Sequence, residues 1–324
     1  KSFGGDWQEV SVNDPLGRPI IGRYGLSADR QVAFIEMASA SGLALLQPEE
    51  RNPLLTSTYG TGQLIRHAIE QGVNQIYLGI GGSATNDAGI GMAAALGYVF
   101  LDQSGNHIEP IGGNMQHISH IDSSNVLPQL ATITCTVLSD VTNPLTGPEG
   151  AACVYGPQKG ADESMVKLLD KGLVQFNTVM TKWLGEDLSN HPGAGAAGGL
   201  GIGAMWFLKA NLQSGVRTLL TLLGIEKHIQ EADLVITGEG KIDVQTLSGK
   251  AIGGLAQVCK QYQKPLIVIS GAMLLTPAQI QQLGVTCAVS ILNRPVTEQI
   301  AYQEAYDRVM EATFNLVRLF SFRS

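Results

Sequence analysis

The chain has 324 residues, a length that suits about two domains of ordinary size. Hydrophobic residues make up 44% of it and charged residues only 15%, which excludes a disordered chain and leaves ample material for a buried core. Its 39 glycines follow no three-residue period, which excludes collagen, and a net charge of -7 argues against a nucleic-acid or anionic-membrane partner.

From the N-terminus onward, apolar β-rich runs alternate with helical patterns, the signature of an α/β architecture. The opening residues Lys1-Ser2-Phe3-Gly4-Gly5 do not read as a signal peptide. The first predicted strand is Val32–Met37, followed by a helix over Gly62–Gln71 with Leu64, Ile65, Ala68 and Ile69 on one face. Strands Gln75–Ile80 and Ile133–Ser139 come next and are apolar on both faces, as in a covered parallel sheet. A helix over Asp162–Trp183 opens on a capping aspartate and places Met165, Leu168, Leu169, Leu173, Phe176 and Val179 at core spacing. The uncharged stretch Pro192–Leu208 is too glycine-rich and too short for a membrane span, and Lys209 closes it. A composition change near Leu223–Asp233 suggests a domain boundary. Strands Asp233–Thr237, Leu266–Ser270 and Cys287–Leu292 follow, then a helix near Thr297–Phe320 whose stripe Ile300, Ala305, Val309, Ala312, Leu316 and Phe320 is expected to face a core. Cys135, Cys153, Cys259 and Cys287 form no C-x-x-C pair and read as buried, reduced thiols of a cytoplasmic protein.

In a parallel α/β sheet, ligands bind where strands end and helices begin, and three segments have that form. In the first, Gln75–Ile80 runs into Gly81-Gly82-Ser83-Ala84-Thr85-Asn86-Asp87 ahead of a helix. Successive free N–H groups at such a turn make an anion nest, and Asn86 or Asp87 as an ordinary N-cap is the alternative. In the second, Asp140 falls where an apolar strand stops, with Asn143 and Pro144 in the turn beyond it. A carboxylate there suits a divalent cation or a hydroxyl proton, and an Asx-turn explains it equally well. In the third, Thr237-Gly238-Glu239-Gly240-Lys241-Ile242-Asp243 continues to Thr246, Ser248, Gly249 and Lys250. Glu239 and Asp243 suit a metal and Lys241 and Lys250 a phosphate, against the alternative of an exposed charged loop.

Other signals fail on context. Gly249-Lys250 lacks the upstream glycine and following hydroxyl of a P-loop. Gly193-Ala194-Gly195-Ala196-Ala197-Gly198 matches G-x-G-x-x-G but follows Asn190-His191-Pro192 rather than a strand, so its glycines are read as allowing close approach of two backbones or a ligand. His117 and His120 sit in a polar, loop-like setting and read as surface residues.

Taken in order, seven segments resemble the type I glycerate kinases over nearly the whole chain. They are 36–43, 51–62, 79–87, 140–147, 156–161, 193–199 and 237–243. The resemblance implies two facing α/β domains, one a discontinuous Rossmann- or flavodoxin-like domain of residues 1–30 and 230–324, the other an inserted α/β domain of residues 31–229. It implies a cytoplasmic enzyme that phosphorylates D-glycerate from Mg²⁺–ATP, with 2-phosphoglycerate as product; a homo-oligomer is compatible with it. The family's opening strand and its D-S-F-K-x-S-like and A-D-G-G-E-G-T-like segments have no counterpart in this sequence, and the expectation is that such units are missing from the chain as read.

Phosphoryl transfer asks a protein mainly for positioning and charge neutralisation. On that basis Asp140 is expected to accept the hydroxyl proton and Lys241 to offset charge on the transferring group. Gly81, Gly82, Ser83, Thr85, Asn86 and Asp87 are expected to cradle phosphate or carboxylate, with Asn143 beside them and Arg51 as a carboxylate clamp. Thr237, Gly238 and Gly240 would meet nucleotide, and Glu239 and Asp243 the metal. Two rival readings use the same residues: a non-catalytic nucleotide- or hydroxy-acid-binding protein on this scaffold, and a kinase for another small hydroxy acid.

Overall fold

A computed structural model describes residues 4–243, 246 and 251–322. The chain divides into two compact α/β units, Lys1–Gly215 and Val216–Ser324. In the first, strands β1 (Asp6–Asn13), β2 (Pro19–Leu26), β3 (Val32–Glu36) and β4 (Gln75–Gly79) precede a small hairpin of β5 (Val99–Leu101) and β6 (His120–Asp122). Strands β7 (Thr134–Leu138) and β8 (Asn211–Gln213) complete a six-stranded sheet of order β1-β2-β3-β4-β7-β8. Its first three strands are antiparallel, and β3, β4, β7 and β8 run parallel. The apolar runs that predicted β3, β4 and β7 are buried in one core with Ile35, Leu78 and Val137 at its centre. Helix Tyr59–Glu70 sends Leu64, Ile65, Ala68 and Ile69 into that core, as its spacing requires. Helix Glu163–Leu184 begins where the Asp162 carboxylate accepts the Met165 N–H at 2.8 Å, and it buries Leu169, Leu173, Phe176 and Met180 at i, i+4, i+7 and i+11.

The second unit holds β9 (Val235–Ile242), β10 (Leu266–Met273) and β11 (Cys287–Ser290) in a parallel sheet of order β11-β10-β9. It has its own core, in which Ile252, Ala256 and Cys259 of helix Ala251–Gln261 meet Leu266 and Val268.

Three expectations are corrected here. Residues 1–30 do not join 230–324: β1 and β2 extend the sheet of the first unit, because β2 pairs with β3 through Gly25–Phe34 and Leu26–Ala33. The division falls at 215/216, ahead of the composition change used to place it. The final helical stretch is two helices, Glu298–Gln303 and Ala305–Ser321, and its apolar stripe is only partly covered: Ala305, Ala312, Leu316 and Phe320 are half-buried, Ile300 and Val309 are exposed, and Arg308 is buried through bonds to Glu304 and Asn293. Cys135 and Cys259 are buried as expected, whereas Cys153 and Cys287 are half-buried. Among the described residues, no helix is long and apolar enough to cross a membrane.

Candidate active site

Parallel pairing sets Gly79 of β4 opposite Leu138 of β7, so both strands hand over to turns at one edge of the sheet. After β4, Gly82 takes φ +71°, a left-handed conformation that a side chain would strain. Its carbonyl accepts the Leu43 N–H at 2.8 Å, and the Ala84 N–H donates to the Ser41 carbonyl at 2.9 Å, which fixes the Gly81-Gly82-Ser83 turn against the Ser41–Leu43 segment that follows β3. After β7, Asp140 Oδ1 accepts from Ser214 Oγ at 2.8 Å and from the Gly215 N–H at 3.0 Å, so the carboxylate is oriented from the far end of β8. Both turns open on a cavity of about 560 Å³, shared with Tyr155 and Lys159. A second cavity of about 610 Å³ runs along the final helix between Tyr306 and Arg318 and lacks any acid.

Lys159 was not singled out as a site residue by the sequence. It closes the Pro157–Lys159 turn, is 1% exposed, and donates from Nζ to the Thr85 carbonyl at 2.7 Å. Burial pushes its ammonium down to about 7, and the charge of Asp87 opposes that shift. Asp87 is fully buried: Oδ2 accepts from the Thr58 N–H and Oγ1 at 2.8 and 2.7 Å and from the Gly91 N–H at 3.2 Å, and Oδ1 accepts from the Gly89 N–H at 3.2 Å. Burial raises its carboxyl despite those four bonds, which favour the anion.

The first unit therefore brings Gly81, Gly82, Ser83 and Asp140 together and leaves several expected partners out. Asp87 is a structural acceptor for the helix that follows, and its oxygens face Thr58 rather than the cavity. Thr85 and Asn86 lie on the same buried turn behind the wall; Thr85 Oγ1 and both amide atoms of Asn86 have no partner among the described residues. Asn143 spends its amide on the Glu149 carbonyl and the Tyr155 hydroxyl, so it positions Tyr155 instead of lining the cavity. Arg51 is half-buried with its backbone packed on Gly160, and it does not line the cavity. The glycine-rich stretch behaves as read: Gly198 has φ +71°, its carbonyl accepts the Ala88 N–H at 3.0 Å, and a Cβ there would lie 2.1 Å from the Thr85 carbonyl.

In the second unit the expected loop is strand. β9 runs through Thr237, Gly238, Glu239, Gly240 and Lys241 because β10 continues past Ser270 to Met273 and supplies partners, Ser270 opposite Glu239 and Ala272 opposite Lys241. Glu239 Oε2 and Ser270 Oγ, neighbours in this register, are buried without a partner among the described residues. An orphaned carboxylate oxygen fits a site for a nucleotide-bound cation. Asp243 fits less well, since Lys241 Nζ lies 3.1 Å from its Oδ2 and neutralises the charge a cation would need. Ser248, Gly249 and Lys250 lie outside the described residues.

A glycine turn, an oriented carboxylate and a buried ammonium on one cavity, at the carboxyl edge of a parallel sheet, define a small-ligand α/β enzyme. Comparisons with known proteins narrow that class. The glycerate kinase family model matches residues 1–321. The chain is 45% identical over 312 residues to a glycerate kinase of Halalkalibacterium halodurans, covering 96% of this chain and 82% of that protein. It is 45% identical over 305 residues to the glycerate 2-kinase of Escherichia coli K12, covering 94% and 80%. The crystal structure of a candidate glycerate kinase 2 from Salmonella typhimurium LT2 superposes with a TM-score of 0.85 at 41% identity, over 99% of this chain and 84% of that one. The chain belongs to the glycerate kinase family, and is thus an enzyme of the phosphotransferase class.

Proposed function

We propose that this protein is a cytoplasmic glycerate kinase that moves the γ-phosphoryl group of Mg²⁺–ATP to the 2-hydroxyl of D-glycerate. The family match supports the reaction class, and the name of the Escherichia coli relative supports the 2-position. The observation that carries the reading is Asp140, a carboxylate held by Ser214 and Gly215 at the mouth of the β4–β7 cavity.

In this reading the hydroxy acid enters the cavity against the Gly81-Gly82-Ser83 turn, where backbone N–H groups and the Ser83 hydroxyl orient it. Asp140 accepts the hydroxyl proton as the oxygen bonds to the γ-phosphorus; the bond to the β–γ bridging oxygen breaks and ADP leaves. Within the second unit, Glu239 would hold the Mg²⁺ carried by the nucleotide, which would offset charge on the phosphates, and Lys241 would add to that, with Thr237, Gly238 and Gly240 alongside.

The test is ATP- and Mg²⁺-dependent turnover of D-glycerate, coupled through enolase and pyruvate kinase, with and without phosphoglycerate mutase. Signal without mutase is the expected result. Signal only with mutase would move the phosphoryl group to the 3-hydroxyl, and no turnover would overturn the reading.

A further inference from the structure

Lys159 lines the cavity and has no part in the chemistry described so far. It is 1% exposed, yet it spends one N–H on the Thr85 carbonyl, and an ammonium carries three. Its other two donors have no partner among the described residues, and among them it makes no ion pair. Asp87, the carboxylate that acts on it through space, is already held by Thr58, Gly89 and Gly91. A buried cation with no counter-ion is costly to the fold. One that also lines a cavity is placed to pair with an anion that enters it.

We propose that Lys159 is the anchor for the carboxylate of the acceptor hydroxy acid, donating its two remaining N–H groups to the carboxylate oxygens. The assignment rests on reading the cavity as the glycerate site. Charge balance selects the carboxylate over a phosphoryl group. Asp140 shares the cavity, and a phosphate dianion beside it would place three negative charges against one lysine. A hydroxy acid instead offers one anion to Lys159 and one neutral hydroxyl to Asp140. Desolvation makes the contact stronger than a surface pair.

The groups facing Lys159 decide how pH enters. Asp87 acts on it from the turn before helix Ile90–Ala95, and Asp140 and Tyr155 line the same cavity from the end of β7 and from the helix before its own turn. Burial raises the Tyr155 hydroxyl, so it stays neutral near pH 8. A carboxylate docking on Lys159 raises its affinity for a proton, so binding draws a proton from solution there.

The experiment compares the wild-type chain with Lys159→Met. Expected is a rise in KM for D-glycerate of about 100-fold, with KM for ATP within about 3-fold, because a buried charge partner is removed from one substrate only. The wild-type preference for D-glycerate over glyceramide, its uncharged analogue, collapses in the variant. Calorimetry at pH 8 in two buffers of different ionisation heat shows proton uptake on D-glycerate binding to the wild type and none in the variant. The melting temperature of the variant does not fall, since an unpaired buried charge has gone. An unchanged KM for D-glycerate overturns the assignment alone. Both KM values rising together with a lowered melting temperature would mark Lys159 as structural and also overturn it. Failure of the wild type to bind D-glycerate would overturn the reading of the cavity and this assignment with it.

Discussion

The β4–β7 edge and strand β9 carry the same kind of sequence signal, glycines and acids after an apolar run, and the fold treats them differently. At the β4–β7 edge both strands stop in register, at Gly79 and Leu138, and the polar residues beyond fall into turns that open on a cavity. In β9 the neighbouring strand runs on to Met273, so Gly238 through Lys241 stay in the ladder. What decides whether a motif becomes a loop is whether a partner strand is available beside it. Within the first unit a second contrast matters as much. Asp140 is held through one oxygen at a cavity mouth, whereas Asp87 is sealed in by four donors.

Substitutions at those two aspartates give the largest expected effects and separate the roles. Asp140→Asn is expected to lower kcat by about 10²–10⁴-fold, the range for loss of general-base catalysis, with little change in melting temperature. Asp87→Ala is expected to do the reverse and act on folding. It strands the Thr58, Gly89 and Gly91 donors and removes the charge that supports Lys159, at a cost of about 3–5 kcal/mol read from denaturant unfolding. Near-normal turnover in Asp140→Asn would remove it from the base role.

The pH dependence of stability probes the same wall. Lys159 sits near 7 in the folded chain against 10.5 as its ordinary value. Between those limits the unfolded chain binds more protons, so stability rises with pH through that window, and the cost of burying the charge is fully present below it. Relative to Lys159→Met, the wild type is expected to gain on the order of a few kcal/mol between pH 7 and pH 10, checked by denaturant unfolding across that range. The smallest structural effect is expected at Lys241, which is 56% exposed and paired with Asp243. Lys241→Ala is expected to shift stability by less than about 1 kcal/mol, while slowing phosphoryl transfer about 10-fold or more if it meets the nucleotide.

Much of the first unit was legible because its information is local. Apolar runs marked β3, β4 and β7, and Asp162 marked a helix start with a residue that caps it. The β1–β2 hairpin escaped because one of its faces is solvated, with Trp7 and Ile21 each 66% exposed, so no apolar run announces it. A signal was present in Asp14-Pro15-Leu16-Gly17, where the Asp14 carboxylate accepts from the Leu16 and Arg18 N–H groups in a tight turn. Lys159 was not legible, because its burial depends on the Thr85 carbonyl 74 residues away. Asp87 looked like a ligand residue for a related reason: local sequence shows its charge but not the Thr58 donors that consume it. Gly198 was read correctly, since a glycine-rich run without a preceding strand leaves close backbone approach as its use.

The most direct test of the central claim is a crystal structure of the chain with D-glycerate bound. The account predicts the acid in the β4–β7 cavity, its hydroxyl within hydrogen-bond reach of Asp140 and its carboxylate on Lys159. Ordered D-glycerate elsewhere, with that cavity empty, would contradict it.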